Sequence, residues 1–369
     1  MLYPLQPGPI DMLRFHPIDT IDRLHPRKTV LRVRNAHFTV LAVDCLTEKN
    51  ESVFRPTSLL WRKGNSDDLS RYKEGIQAAL YVLYVLNIPY GECIVQRKSA
   101  REYSVYKAES LSQDESDREM ASDVDLPSTY GADVECLLQN VNTGGWVSAS
   151  SITTENGTIG CDDTIAVNSK KVLRPILELR PEPAGNAQDL HRNLLCLHEK
   201  LEAFLKKNHL RAVTTGFGRF CIGGHLHVGN QPLTFESVRK LDLFLTLPFA
   251  LTEQGNPHIR RSRFGRLGSV RPNRFNGFEY RSLPSWYAMI PDLLPLLEWF
   301  CYINEHPDDF PVLDFTPEIL QSYYSHSIPG LREVSKEMEQ ICQDTLPSED
   351  FAAFAAPFFR LIHTKSDVL

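Results

Sequence analysis

Between positions 258 and 281 the chain carries seven arginines (Arg260, Arg261, Arg263, Arg266, Arg271, Arg274 and Arg281) and one acid, Glu279. A guanidinium is a planar, permanently charged fork of donors, so this density suits a highly charged oxyanion such as a triphosphate. Gly265, Gly268, Pro272 and Gly277 interrupt the run. That spacing describes a loop able to wrap a ligand better than it describes a solvated helix face. Upstream stands Gly-Gly-His-Leu-His-Val-Gly at 223–229, where the glycines let a ligand approach the backbone around His225 and His227.

Strands place alternate side chains on one face, so residues at i and i+2 project together. Asp133 and Glu135 form such a pair, as do Glu178 and Arg180, His225 and His227, and Glu279 and Arg281. Each pair alone has an ordinary explanation, because exposed strand faces are polar and a His-x-His is commonly a hydrogen-bonded pair. Four in one region predict a single polar cavity on the concave face of a sheet. Carboxylates mixed with a histidine favour Mg²⁺ or Mn²⁺ over zinc. Other chemistries are poorly supported. The Gly-x-Gly at 216–218 has neither a following Gly-Lys-Ser nor a strand–helix setting, there is no Gly-x-Ser-x-Gly, and no cysteine has a nucleophile's surroundings.

The whole chain is acidic, with a formal net charge of -6 over 369 residues, so the arginine loop is a local concentration of positive charge. A nucleic-acid-binding role is disfavoured by that balance and by the lack of basic–aromatic alternation. The length allows two or three domains. The first residues have no basic start followed by an apolar stretch, and the longest apolar run, at 241–251, is broken by Asp242, Thr246 and Pro248, so neither a secretory leader nor a membrane span is expected. The eight cysteines are scattered without a Cys-x-x-Cys pair. Most, Cys196 among them, sit among apolar neighbours and read as buried free thiols in a cytoplasmic protein without a zinc site.

Hydrophobic patterning supplies the elements that must hold these residues. Alternation predicts strands within 29–46, a helix over 68–87 and a hairpin over 91–109 with its turn near 99–101. The Ser/Asp/Glu-rich stretch 110–125 has almost nothing to bury and reads as a linker, which sets a domain boundary near 125. Beyond it, strands are expected around 133–138, 146–150, 172–179, 219–228 and 275–283, with helices over 190–210 and 233–251. The remainder, 286–369, reads as helical, with segments at 289–305, 317–325, 330–342 and 350–361. The fold class is therefore α+β. Residues 1–125 form a small N-terminal domain mixing helix and strand. Residues 126–369 form a second unit, a curved antiparallel sheet with helices on one side and a helical C-terminal tail.

Residues 130–284 resemble the phage-associated amidoligases known as phiEco32-like COOH·NH2 ligase type 2, within the glutamine synthetase and glutamate–cysteine ligase superfamily. The matching residues run in order: Gly131-Ala-Asp-Val-Glu135, the 157–162 turn ending in Asp162, Glu178-Leu-Arg-Pro181-Glu-Pro, Gly223-Gly-His-Leu-His-Val-Gly229, the 260–274 loop, and Gly277-Phe-Glu-Tyr-Arg281. Cys136 departs from the pattern, since an aromatic commonly follows the strand acid. Residues 1–125 lie outside the resemblance.

The resemblance implies a glutamine synthetase-like catalytic domain and an ATP-dependent carboxylate–amine ligase that forms an amide through an acyl phosphate. It implies Mg²⁺ or Mn²⁺ held by Asp133, Glu135, Glu178, His225 and Glu279. His227, Arg260, Arg261, Arg266, Arg271 and Arg274 would contact ATP, and Arg281 would act at the substrate carboxylate beside the catalytic Glu135 and Glu279. Partners would be small-molecule or peptide carboxylates and amines, and a homo-oligomer is compatible with it. Phosphotransfer to a guanidino acceptor on the same fold remains an alternative, as does a non-catalytic phage-derived binding protein.

Overall fold

The computed structural model describes residues 19–25, 28–46, 62–63, 72–99, 102–111, 126–168, 171–216 and 220–366. Of the expected linker at 110–125, Ser110 ends a strand and residues 112–125 lie outside the described residues, as do part of the turn near 99–101 and most of the Gly-x-Gly at 216–218. The chain divides into two compact units. One draws on the described residues of Met1–Asp123 together with Leu233–Phe235 and Leu313–Gln321; the other comprises Val124–Pro232, Glu236–Val312 and Ser322–Leu369.

The first unit is an antiparallel sheet with a helix on it. Its strands are β1 (Val30–Ala36), β2 (Thr39–Leu46), β3 (Arg62–Lys63), β4 (Tyr90–Arg97) and β5 (Tyr103–Ser110), ordered β3-β2-β1-β4-β5. Alternation in β1 buries Leu31 and Val33, and helix α1 (Lys73–Val85) buries Ala79, Val82 and Leu83. The part of the expected 68–87 helix that precedes residue 72 lies outside the described residues.

The second unit is built on β6 (Thr129–Asn140). Around it run β7 (Trp146–Val147), β8 (Ile159–Cys161), β11 (Ile176–Leu179), β12 (Leu210–Val213), β13 (Gly224–Gly229), β14 (Val270–Pro272) and β15 (Phe278–Tyr280); β9 (Ala166–Asn168) and β10 (Lys171–Leu173) make a separate ribbon. The main path is β14-β15-β13-β6-β11-β8, and every pairing in it is antiparallel. The strand expected over 172–179 is two strands in different sheets, parted at Arg174 and Pro175. Proline cannot donate to a ladder, so the break falls where pairing must stop.

Helix α2 (Ala187–Lys207) begins three residues before the expected start, because Asn186 caps it by accepting from the Asp189 amide at 2.8 Å. It packs against β6, β11 and β12 through Leu190, Leu194, Leu201 and Leu205. Full burial of a leucine contributes roughly 1.5–3 kcal/mol. Cys196 lies on the outer side of this helix and is exposed, contrary to the buried thiol expected there, because the apolar stripe passes through its neighbours Leu194 and Leu197.

The helix expected over 233–251 is not uniform. A regular helix at Phe235–Leu241 loosens into a π turn at Asp242–Thr246 before Pro248. The turn sets the buried Asp242 to accept from the Gly268 amide and the Tyr280 hydroxyl, each at 2.5 Å. π turns of this kind occur frequently at functional sites. The C-terminal region is helical, with Leu294–Glu305, Ile328–Thr345 and Ala356–Ser366 as its principal helices. Among the described residues no helix is long and apolar enough to cross a membrane.

Candidate active site

Register alone brings the polar pairs of the second unit to one face. Asp133 stands opposite His225, Glu135 opposite Glu178, and His227 opposite Glu279, which is in turn opposite Arg271. Directly opposed residues share a face. The alternate residues Val134, Cys136, Leu226, Val228, Phe278 and Tyr280 are buried on the other side. Beyond Glu135 and Glu178 the polar face gives way to Leu137, paired with Ile176 and clustered with Ile222 and Phe220. Gly224 is required by packing, since the Trp286 indole occupies the space a Cβ would fill.

The side chains then form two overlapping groups. Asp133, His225 and Glu279 present ligand atoms within 4.8 Å of one another, and so do Glu135, Glu178 and His225. The His225 ring spans both, with Nδ1 3.2 Å from Glu279 Oε1 and Nε2 4.0 Å from Glu135 Oε1. His227 Nε2 meets Asp133 Oδ2 at 2.9 Å, and the Gly223 amide donates to Glu135 Oε2 at 2.7 Å. Arg180 is ion-paired with Glu178 and donates to the carbonyls of Glu155, Gly157 and Cys161, which fastens the turn before β8 to the acid face. Gly160 leaves the room that this guanidinium fills.

Charge in this space is unbalanced. Burial, then the charges of Asp162 and Glu178, push the Glu135 carboxyl well above its ordinary range. Glu178 is pushed up to about 7 by burial and by Asp133, against Arg180. Burial and the Arg281 charge hold the His225 ring well below its usual value, which favours a neutral imidazole with a free lone pair. Burial opposes charge on both Asp133 and His227, yet their mutual hydrogen bond lowers the first and raises the second.

Glu279 is 1 % exposed, and its Oε1 has no hydrogen-bond partner although Arg281 Nε lies 3.1 Å away in poor alignment. Arg281 Nε is likewise enclosed and unmatched. Arg281 and the His225 Nδ1 at 3.2 Å lie close without an aligned donor, so this oxygen keeps lone pairs for a ligand. Hard oxygen donors with one imidazole fit Mg²⁺ or Mn²⁺, so the residues present suit a divalent cation.

The arginines separate by surroundings. Arg271 reaches Glu279 from an exposed position, and Arg281 lines a small pocket with Glu135, Asp162 and His225. Arg274 is exposed against the Phe275 ring, and Arg266 donates to the Ser262 carbonyl at 3.1 Å. Arg260 and Arg261 are enclosed. Arg260 Nε and Nη2 bind Glu253 at 2.5 and 3.0 Å, while Nη1 donates to the Ser282 carbonyl at 2.9 Å. Arg261 binds Glu253 Oε2 through Nε at 2.8 Å and the Tyr323 and Ala250 carbonyls, and lies over the Tyr323 ring. The structure does not bring Arg261 to the acid face.

Asp162 and Arg180 belong to the site's surroundings, although the sequence reading gave them no role. Their signal was present in the 157–162 turn and in the i, i+2 spacing of Glu178 and Arg180.

Residues 130–368 match the family described as phage phiEco32-like COOH.NH2 ligase-type 2. The chain belongs to this family. It is therefore a carboxylate–amine ligase by family. No curated protein matches the chain. Among solved structures it is similar to one described as "Apo GmaS without ligand", at 14% identity, a TM-score of 0.36, and coverage of 65% of this chain and 69% of that one.

Proposed function

We propose that the protein is an ATP-dependent amide ligase of glutamine synthetase-like design, in which a carboxylate is activated as an acyl phosphate and then captured by an amine. A carboxylate is a poor electrophile at neutral pH, and phosphorylation divides one hard substitution into two easier ones. The γ-phosphoryl of ATP passes to a substrate carboxylate oxygen with release of ADP. The amine nitrogen then attacks the acyl carbon, phosphate leaves, and the amine's proton passes to solvent or to a nearby base.

Asp133, His225 and Glu279 would hold one cation, and Glu135, Glu178 and His225 a second. Such cations neutralise phosphate oxygens and polarise the phosphoryl group. His227, fixed by Asp133, faces the edge where Arg271 enters, so these two, with Arg274 and Arg266, are the candidates for nucleotide phosphates. Arg281 sits in the pocket with Glu135 and presents an unmatched donor. It would orient the reacting carboxylate and stabilise the acyl phosphate. The enclosed donors of Arg260 and Arg261 support a role in shaping the loop.

The observation that carries this reading is the pair of acid–histidine groups that share His225, with the buried Glu279 Oε1 of the first making no hydrogen bond. The test is ADP and phosphate release on supplying Mg²⁺·ATP with carboxylates and amines, alone and in pairs. Release that requires both components, with an amide found by mass spectrometry, is expected. Phosphate transfer to a guanidino acceptor without an amine and carboxylate pair would replace the ligase reading with a kinase.

A further inference from the structure

Beside the small pocket over Glu135 lies a cavity of about 510 Å³, within the size range of small-molecule sites. The two share Phe220, Cys221, Ile222 and Arg260 as lining, so the cavity adjoins the acid face on its Glu135 side. It also continues the apolar cluster of Leu137, Ile176 and Ile222. The residues that suit phosphates, His227, Arg271 and Arg274, do not line it.

Its chemistry is that of a neutral, partly apolar site. Glu253 is spent on Arg260 and Arg261, Arg260 on Glu253 and the Ser282 carbonyl, and at the cavity's mouth Lys365 is shared with the exposed Asp292 at 2.8 Å. What remains to a ligand are the amides and hydroxyls of Gln254, Asn256, Thr252 and Thr214, set among Trp286 and Met289. Ile259, on the cavity, and Phe264, on the small pocket, are large apolar side chains left 41% and 55% exposed. A triphosphate finds one cation here, Lys365, shared with an exposed Asp292, and no cluster of cations like that offered by Arg271, Arg274 and Arg281.

The geometry points to this cavity as the seat of the acyl substrate's body: the carboxylate taken by this enzyme belongs to a bulky, neutral, amide-bearing and partly apolar molecule, peptide-like rather than a free small amino acid. The inference rests on the ligase reading, which places the reacting carboxylate at Arg281. Amide groups of such a body match Gln254 and Asn256, and its apolar side chains match Ile259, Met289 and Phe264.

Ala288 and Thr364 line the cavity from exposed positions on separate elements, so Ala288→Trp and Thr364→Trp fill it without repacking the core. Binding of N-acetyl-alanyl-phenylalanine, of free glutamate and of a non-hydrolysable Mg²⁺·ATP analogue is measured by calorimetry on wild type and both variants, with circular dichroism to confirm folding. The blocked dipeptide should bind wild type more tightly than glutamate. Each variant should weaken it about tenfold or more while nucleotide affinity stays within about twofold. Loss of nucleotide affinity instead would make the cavity a nucleoside site and overturn the proposal. So would dipeptide binding indifferent to both variants, or a wild-type preference for glutamate. These measurements need no turnover, so absence of paired-substrate ADP release in wild type would sink the ligase reading separately and leave the cavity result legible.

Discussion

Two clusters in the second unit share a formula, a buried glutamate met by two arginines, and differ in what is left over. At Glu253 both carboxylate oxygens are engaged, and the guanidiniums of Arg260 and Arg261 are enclosed, with remaining donors spent on carbonyls. At Glu279 one oxygen has no hydrogen bond, and the side chains of Arg271 and Arg281 are 61% and 33% exposed. A buried ion pair whose every lone pair is matched fastens a fold, and one left incomplete has room for a ligand. Arginine count alone misses this distinction.

The sharpest way to break the comparison is to neutralise each glutamate. Glu279→Gln removes the charge that would hold a cation and should lower turnover by about a thousandfold or more, close to 4 kcal/mol of transition-state stabilisation. Its melting temperature should change little, because the Arg271 and Arg281 side chains left behind are 61% and 33% exposed and keep access to solvent. Paired-substrate ADP release and a thermal melt read the two quantities. A variant with a clearly lowered melting temperature and unchanged turnover would make Glu279 a fastening residue like Glu253.

The Glu253 cluster should answer in stability. Arg261→Met leaves Glu253 with one partner and should cost about 3 kcal/mol in urea unfolding, at the low end for a broken buried pair because Arg260 remains. A pH dependence accompanies it. Burial works to raise the Glu253 carboxyl, but Arg260 and Arg261 bring it down from 4.5 to about 2. Its folded value is depressed, so its stabilising contribution is complete above about 4.5 and is lost as pH falls toward 2. Over that window the loss is on the order of 3 kcal/mol. Urea titrations from pH 6 to about 2 should show this slope in wild type and a shallower one in Arg261→Met.

How far the sequence carried depends on whether local periodicity settles the question. The shared face of Asp133, Glu135, Glu178, His225 and Glu279 was legible because strand alternation has a period of two wherever the strand goes. The α+β class and the helical C-terminal region were legible for a similar reason. The split of the arginines was not, since Glu253 lies upstream of the loop and its pairing with Arg260 and Arg261 is a matter of tertiary packing. The π turn at Asp242 was equally hidden: the partners of its side chain, a hydroxyl from Tyr280 and an amide from Gly268, are both more than twenty residues away. Asp162 and Arg180 were in view as motif residues, but only register shows them beside Glu135 and Glu178.

Arg281→Lys sharpens the comparison from within the open cluster. Lysine keeps the charge and loses the planar fork, so turnover should fall about 10- to 100-fold while Mg²⁺·ATP affinity stays within about threefold. Equal losses in both would move Arg281 from the carboxylate to the phosphates.

The smallest effect is expected at the rim. Arg274 is exposed, and its guanidinium lies 4.9 Å from the centre of the Phe275 ring, a surface contact worth about 0.5–1 kcal/mol. It has no buried glutamate to hold it, and solvent screens whatever charge it offers a phosphate. Arg274→Ala should therefore weaken Mg²⁺·ATP binding only about two- to fivefold, with the effect shrinking as salt is raised from 50 to about 300 mM, and should leave thermal stability unchanged. Calorimetric titration at several salt concentrations measures this. A loss as large as that of a buried group, or one insensitive to salt, would mean that Arg274 closes over the nucleotide when it binds, and would place it with Arg281 in the open cluster.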